Sequence, residues 1–438
     1  MTSVHAKNKN KGFIYHLHPP RVSQNALKYT HTWGLGGSAL VLVLMQIVTG
    51  VLLLFVYSPT PEAAYLSITV LQQDVLFGRL VRNLHHWGGN FLIFVIFFHM
   101  LRVFFTGAYN GKRKANWWIG LGLFLCVLIS NFTGYLLPLD QLSYWAITIC
   151  TNMFEYIPYI GTMIQKIIIG GAEIGKATLS NFFAIHVALV PMCLAILMPF
   201  HFWQVRKAKG VISPADTKGV QKVPSVPHLV TREAAMALAV IAALFLFSVL
   251  FNAPLEDKAN PGLSPNPTKA PWYFSGLQEL LQHFHPSIAV FVIPFLIVLG
   301  LICLPYLKFE KATGGIWFLS ENGRRMGVVS ATIALVFAPM MIVLDEYVLN
   351  ISRLLPGLPT VLANGLIPVV LTMIFLIGFY QSMKRKYAAS AEEGIQAVFI
   401  FLLVSFVVLT ITGIWFRGLG MALAWPWDLT VNQINSIK

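Results

Sequence analysis

Charge is what this chain has least of. Only 11% of its 438 residues are Asp, Glu, Lys or Arg, and the acidic ones number 17, too few to solvate the surface of a water-soluble protein of this size. Its four cysteines, Cys126, Cys150, Cys193 and Cys303, show no C-x-x-C or C-x-x-C-H spacing. That excludes a cysteine-built iron–sulfur framework and covalent c-type haem attachment, so any further electron carrier must come from a partner. The first thirty residues are polar and basic, without the apolar stretch of a cleavable signal peptide.

What fills the chain instead is hydrocarbon. Hydrophobic residues make up 56%, 32 of them Phe, and the mean hydropathy is +0.69. Apolar runs long enough to cross about 30 Å of bilayer begin near Trp33, His85, Trp117, Phe182, Ala234, Ile288, Met326, Val361 and Ala397. The expected fold is an all-α membrane protein of about nine transmembrane helices.

Short cytoplasmic loops carry the Lys/Arg excess of a membrane protein. The N-terminus and the connections after spans two, four, six and eight hold 21 of the 31 basic residues. This bias predicts a cytoplasmic N-terminus and, with an odd span count, a periplasmic C-terminus. The net charge of +14 is then a topology signal and an attraction to anionic lipid rather than a nucleic-acid footprint.

Four histidines lie inside these apolar runs, and ionisable groups within a membrane are rare and usually functional. His85 and His99 are fourteen residues apart, which is close to four helical turns and about 21 Å of rise, so they share a face near opposite sides of a bilayer. His186 and His201 make a similar pair. Packed face to face, the two helices would set His85 against His186 and His99 against His201, as two bis-histidine haems require. Gly36 and Gly50 in the first span and Gly120 and Gly134 in the third repeat the fourteen-residue interval. Without a Cβ they let a flat macrocycle approach the backbone. Arg82 and Arg102 lie one turn toward each surface from His85 and His99, where a guanidinium can pair with a haem propionate.

Longer motifs add a resemblance. R-N-L-H-H-W-G-G from Arg82, H-M-L-R-V-F-F-T-G from His99, T-G-Y-L-L-P-L-D-Q-L-S-Y-W-A-I-T from Thr133, I-P-Y-I-G from Ile157 and T-L-S-N-F-F-A-I-H ending at His186 resemble the cytochrome b subunit of quinol-oxidising Rieske/cytochrome b complexes, of the bc1 and b6f type. The fifteen-residue step from His186 to His201 resembles the b6 branch, yet the chain runs on past four helices, as in a fused prokaryotic form. On that pattern 1–210 is a b6-like four-helix haem domain and 211–232 a cytoplasmic linker. Residues 233–350 are a subunit-IV-like domain with the outer quinol loop, and 351–438 are added spans with an outer tail.

The resemblance implies a di-haem subunit in a quinol:cytochrome c or similar oxidoreductase complex of a bacterial inner membrane. It would hold two non-covalent b-type haems, oxidise quinol on the outer side, pass one electron to a Rieske iron–sulfur partner and send the other across the membrane to an inner quinone site, coupled to proton translocation. The implied partners are the Rieske protein, a cytochrome c subunit or soluble acceptor, a second copy of the chain and lipid. The family's P-E-W-Y motif aligns with Ala270-Pro271-Trp272-Tyr273, where Pro271 cannot take the quinol's proton. A general base within reach is still needed, which makes Glu279 the expected base and Tyr273 a pocket hydroxyl, with His283 and His285 as weaker candidates. His31, Arg206 and Asp216 are the expected inner-site residues. Asn181 replaces a usual arginine, and Leu42 replaces the cysteine that tethers an extra haem in the b6 branch, so no thioether-linked haem is expected. The tail after the last span is expected to meet a partner on the outer surface.

Two other functions compete. A di-haem anchor serving an extrinsic dehydrogenase or reductase shares the histidines but leaves I-P-Y-I-G and P-W-Y unexplained. A transporter with proton-coupled histidines predicts no haem.

Overall fold

The computed structural model describes residues 18–213, 221–307, 315–349 and 351–428. Among them nine helices are long and apolar enough to cross a membrane. In chain order the elements that matter here are β1 (Arg21–Ser23), α1 (Leu35–Leu54), α2 (Gly78–Phe105), α3 (Lys114–Leu136), α4 (Gln141–Asn152), α5 (Gly161–Ile169) and α6 (Lys176–Lys207), followed by β2 (Lys222–Pro224), α7 (Ser225–Leu250), α8 (Trp272–His283), α9 (Ile288–Tyr306), α10 (Glu321–Tyr347), α11 (Leu362–Lys386) and α12 (Ala391–Trp415). The spans are α1, α2, α3, α6, α7, α9, α10, α11 and α12, while α4, α5 and α8 sit in connections.

The first four spans form a bundle. α1 packs along α2, and α3 along α6. Its core is a layer of Leu42, Val43, Leu92, Ile93, Val127, Val190 and Leu194 between the two histidine levels, with Leu84 beside His85 and Leu244 of α7 closing one side. Most large apolar side chains that remain exposed lie on the spans, where lipid, having no hydrogen bonds to lose, is a better solvent than water. β1 and β2 pair antiparallel, with Val22 opposite Val223, and tie the N-terminal segment to the start of α7.

Three spans contain one π-helical turn each, at Ile185–Leu189, Ile288–Val292 and Leu362–Leu366. In every case a proline follows two residues on, at Pro191, Pro294 and Pro368. Proline has no N–H to donate and its ring pushes the carbonyl four residues back, so the ladder shifts to a longer bond and takes in an extra residue.

The ninth span is central to the second half of the molecule. α12 packs chiefly on α10 and α8, and its first turns meet the end of α2, where Gln396 donates to the Phe104 carbonyl and the Phe399 and Phe104 rings lie 4.3 Å apart.

Candidate haem and quinone sites

The four histidines meet in two pairs. The ring centres of His85 and His186 are 6.0 Å apart and those of His99 and His201 are 6.3 Å apart, each pair with its planes at 73°. Two nitrogen–metal bonds of about 2 Å each, with each ring centre ~1 Å behind its nitrogen, span roughly 6 Å. The separations therefore fit an iron held in line between the rings.

The fifteen-residue step in α6 would turn His201 some 60° away from the face of His186 in a regular helix. The π turn at Ile185–Leu189 contains His186 and absorbs the additional residue, so both imidazoles face α2. Each histidine is backed by one glycine. A Cβ built on Gly50 would lie 3.2 Å from His85 Cε1, on Gly36 3.3 Å from His99 Cε1, on Gly120 3.6 Å from His201 Cε1, and on Gly134 only 2.5 Å from His186 Cε1. α1 thus backs the histidines of α2, and α3 backs those of α6. The glycines make room for the imidazoles themselves, as well as for any macrocycle between them.

Second partners fix the rings. His85 Nδ1 lies 2.9 Å from Thr49 Oγ1, and His186 Nδ1 lies 2.8 Å from the Ser130 carbonyl. His201 Nδ1 faces the Asn116 carbonyl outside hydrogen-bond geometry. A histidine that donates Nδ1–H in this way presents Nε2 as a lone pair, which is how metal-binding imidazoles are oriented. Thr49 and Ser130 were not singled out from the sequence. The doublet Thr49-Gly50, repeated as Thr133-Gly134, was a signal for Thr49; the Ser130 contact is made by a backbone carbonyl and has none.

The two arginines have protein partners. Arg82 is buried and donates from Nη1 and Nη2 to the carbonyls of Ala253 and Pro254, at 2.8 and 2.6 Å, so it anchors the connection after α7. Arg102, also buried, donates to the His31 carbonyl at 3.3 Å and lies 3.1 Å from His31 Nε2. Backbone carbonyls take several of their donors, and five donors on a planar fork leave room for a further acceptor such as a propionate.

On the face carrying the N-terminus, His31 Nε2 also meets the Ile212 carbonyl. Burial, opposed by that hydrogen bond and helped by the nearby Arg102, holds the His31 pKa below its ordinary value. A groove of about 530 Å3 opens there, lined by Lys28, His31, Trp317, Ser320, Glu321 and Arg324 among others. Arg206 lies exposed near the end of α6 and does not line it. Asp216 lies outside the described residues. Leu42 is buried in the bundle core, and Asn181 packs its amide against Gly170.

On the opposite face, α8 starts immediately after Pro271 and lies between the bundle and α12. Trp272 Nε1 donates to Asn90 Oδ1 at 2.6 Å, five residues beyond His85, and Tyr273 packs on the bundle core. Burial, with the nearby Cys150 thiol, raises the Tyr273 hydroxyl; burial alone pushes Cys150 up to about 12. Tyr273 is therefore a neutral hydrogen-bond donor at any physiological pH.

Glu279 has a different setting from the one expected of a free base. It is fully buried, and Arg417, beyond the end of α12, grips it with Nη2–Oε1 at 2.6 Å and Nε–Oε2 at 3.0 Å. His283 Nε2 is 3.3 Å from the same carboxylate, and its Nδ1 is 2.7 Å from Asp345 Oδ2. Burial alone would raise Glu279, but hydrogen bonds from His283 and Arg417 outweigh it and hold the pKa low. Burial would lower His283, yet Asp345 and Glu279 push it up to about 9. A carboxylate so stabilised in its charged form is a poor proton acceptor, which corrects the assignment of Glu279 as base. The His285 imidazole accepts the Ser287 backbone N–H at Nδ1, 3.3 Å away. Part of the tail meets the chain's own loop, where Gly420 N donates to Asn266 Oδ1, and Lys269 of that loop donates from Nζ to the Ile414 carbonyl near the end of α12.

Comparison with known proteins gives this geometry a context. The family described as cytochrome b/b6/petB matches residues 22–209. The chain is 31% identical over 306 residues to a cytochrome b/c1 of Bradyrhizobium diazoefficiens, covering 67% of this chain but only 44% of that relative, so it spans less than half of that protein's length. It is 39% identical over 180 residues to cytochrome b6 of Heliomicrobium gestii, with 41% of this chain and 84% of the relative covered, and 30% identical over 288 residues to cytochrome b of Rhodospirillum rubrum, with 64% and 70% covered. A chain of a solved structure titled "Hyperthermophilic respiratory Complex III" superposes with a TM-score of 0.65 over 90% of this chain and 93% of that one, at 23% identity, which speaks for the fold alone.

Proposed function

The chain belongs to the cytochrome b/b6 family, and from that premise we propose that it is the di-haem subunit of a quinol oxidoreductase complex in a bacterial inner membrane. Bound between His85 and His186 and between His99 and His201, two b-type haems would supply one-electron sites stacked across the bilayer. A quinol oxidised at the outer face would give one electron to a Rieske iron–sulfur partner, with a cytochrome c or another acceptor beyond it, and the second electron to the inner quinone.

The residues' own parts follow from their placement. Nδ1 contacts to Thr49 and to the Ser130 carbonyl orient two imidazoles before anything binds, and preorganisation of this kind lowers the cost of ligation. The apolar layer between the two levels excludes water, so no free charge resides there. At the outer face Trp272, held to Asn90, and Tyr273 wall the quinol pocket, with Tyr273 offering an O–H to a quinol oxygen. Pro271 shapes the entry to α8 and contributes no proton acceptor. At the inner face the groove beside His31 and Arg102 takes the quinone, with Lys28 and Arg324 supplying positive charge as protons are taken up.

One observation carries this reading: two crossed imidazole pairs, 6.0 and 6.3 Å between centres, each flanked by two glycines. The test is a dithionite-reduced-minus-oxidised spectrum of the purified protein together with identification of what co-purifies. Two spectrally distinct b haems per chain and a co-purifying Rieske protein are expected. Haems without a Rieske protein would favour the anchor of an extrinsic dehydrogenase, and a colourless protein would overturn both.

A further inference from the structure

α8 makes contact on two sides, and only one of them faces the haem bundle. On that side Trp272 bonds Asn90, Tyr273 joins the bundle core and Phe274 meets Phe132 of α3 with ring centres 5.9 Å apart. On the other side it is held by the ninth span and the residues after it. Backbones approach closely where the helices cross: a Cβ on Gly276 would sit 2.6 Å from Thr410 Oγ1, and one on Gly413 would sit 2.9 Å from the Ser275 carbonyl oxygen. Beyond the crossing, Arg417 and Glu279 form an ion pair with both side chains fully buried. The same guanidinium reaches Glu346 at the end of α10, with Nη1–Oε2 at 3.0 Å, and the Met421 carbonyl at 2.8 Å.

An ion pair removed this completely from water is weak evidence for stability, because desolvating two charges costs about as much as their attraction returns. It is strong evidence for geometry, since a planar fork on a carboxylate tolerates only a narrow range of angles. Glu279 sits six residues, or about 9 Å of helix rise, beyond Tyr273. A rotation or slide of α8 at Glu279 is therefore a rotation or slide of Trp272 and Tyr273.

We propose that Arg417 is a positioning residue for the outer quinol pocket, setting the axial rotation of α8 through Glu279 so that Trp272 and Tyr273 face the haem bundle. The claim rests on the reading of that pocket as the quinol site. The ninth span is, on this account, a working part of the pocket rather than an appended membrane anchor.

The test uses the full chain in its complex, in native membranes, with steady-state kinetics against a water-soluble quinol and haem content from the difference spectrum. Arg417→Met removes the fork, Arg417→Lys keeps the charge but loses the two-point grip, and the double variant Arg417→Met/Glu279→Met removes both charges together. The proposal expects each single variant to keep both haems while the quinol KM rises about tenfold or more, and the double variant, which lacks the two-point grip although neither charge is left buried alone, to keep that raised KM; return of the wild-type KM in the double variant overturns it. A merely structural pair would lower haem content and kcat together and leave KM unchanged, and that result overturns the proposal. If Arg417→Met fails to assemble, Arg417→Lys decides in the same way, and failure of both also overturns it. Wild-type membranes serve as the control: if quinol reduces neither haem in them, the reading of the pocket falls, whatever the variants do.

Discussion

At the scale of single residues, the glycines behind the histidines are not equivalent. Alanine is ordinarily the better residue within a helix by about 1 kcal/mol, so a Gly→Ala change in a span should stabilise unless the added methyl meets something. At Gly120 the methyl would find His201 Cε1 at 3.6 Å, an ordinary contact. At Gly134 it would be 2.5 Å from His186 Cε1 and 2.9 Å from Nδ1, so the ring must turn and lose its bond to the Ser130 carbonyl. Gly134→Ala should therefore deplete the His85/His186 haem by half or more, whereas Gly120→Ala should leave both haems in place. Haem stoichiometry from pyridine haemochrome and redox titration checks this, and equal loss in the two variants would contradict it.

At the scale of helices, the π turn before Pro191 is what keeps α6 in register with α2. The odd step between His186 and His201 was visible in the sequence, and so was Pro191, but only together do they say that the extra residue is taken up locally rather than by rotating the lower half of the span. A regular helix offers no such slack below the turn. Inserting one alanine between Leu194 and Ala195 should swing His201 about 100° out of the site and abolish the His99/His201 haem, with the His85/His186 haem retained. Deleting Leu189, within the turn, should restore a fourteen-residue step and spare both. Optical spectra of the two variants decide the point; a retained lower haem after the insertion would mean that the turn can migrate.

At the scale of the whole molecule, α7 and the residues after it are joined to the first four spans by contacts of their own. Leu244 of α7 closes the bundle core, Asn83 donates to the Ser248 carbonyl at 2.9 Å, and Arg82 holds Ala253 and Pro254. Residues 1–213 and 221–438 expressed as two pieces should therefore co-purify with both haems, and loss of the second piece on detergent extraction would refute it. Much of this architecture was legible beforehand. Nine spans follow from hydropathy, and the pairing of His85 with His186 follows from helical periodicity, because both are local regularities of one chain. The partners that Arg82, Arg102 and Glu279 take within the chain were not legible. Their acceptors lie far off in sequence, on carbonyls that any residue could supply or on a guanidinium past the end of the last span, and a buried polar contact of that kind leaves no local pattern. The P-W-Y segment marks the start of α8, but nothing near Glu279 in the sequence shows that Arg417 already occupies its carboxylate.

That carboxylate and its guanidinium are separated by 138 positions of chain. At a translation rate of roughly 5–20 residues per second, Glu279 emerges from the ribosome on the order of ten seconds before the arginine that neutralises it. During that interval the carboxylate has His283 of its own helix beside it but lacks the two-point grip of the guanidinium. On the proposed reading of α8 as a wall of the quinol pocket, premature termination before Arg417 should leave the first four spans without the contact that fixes that wall.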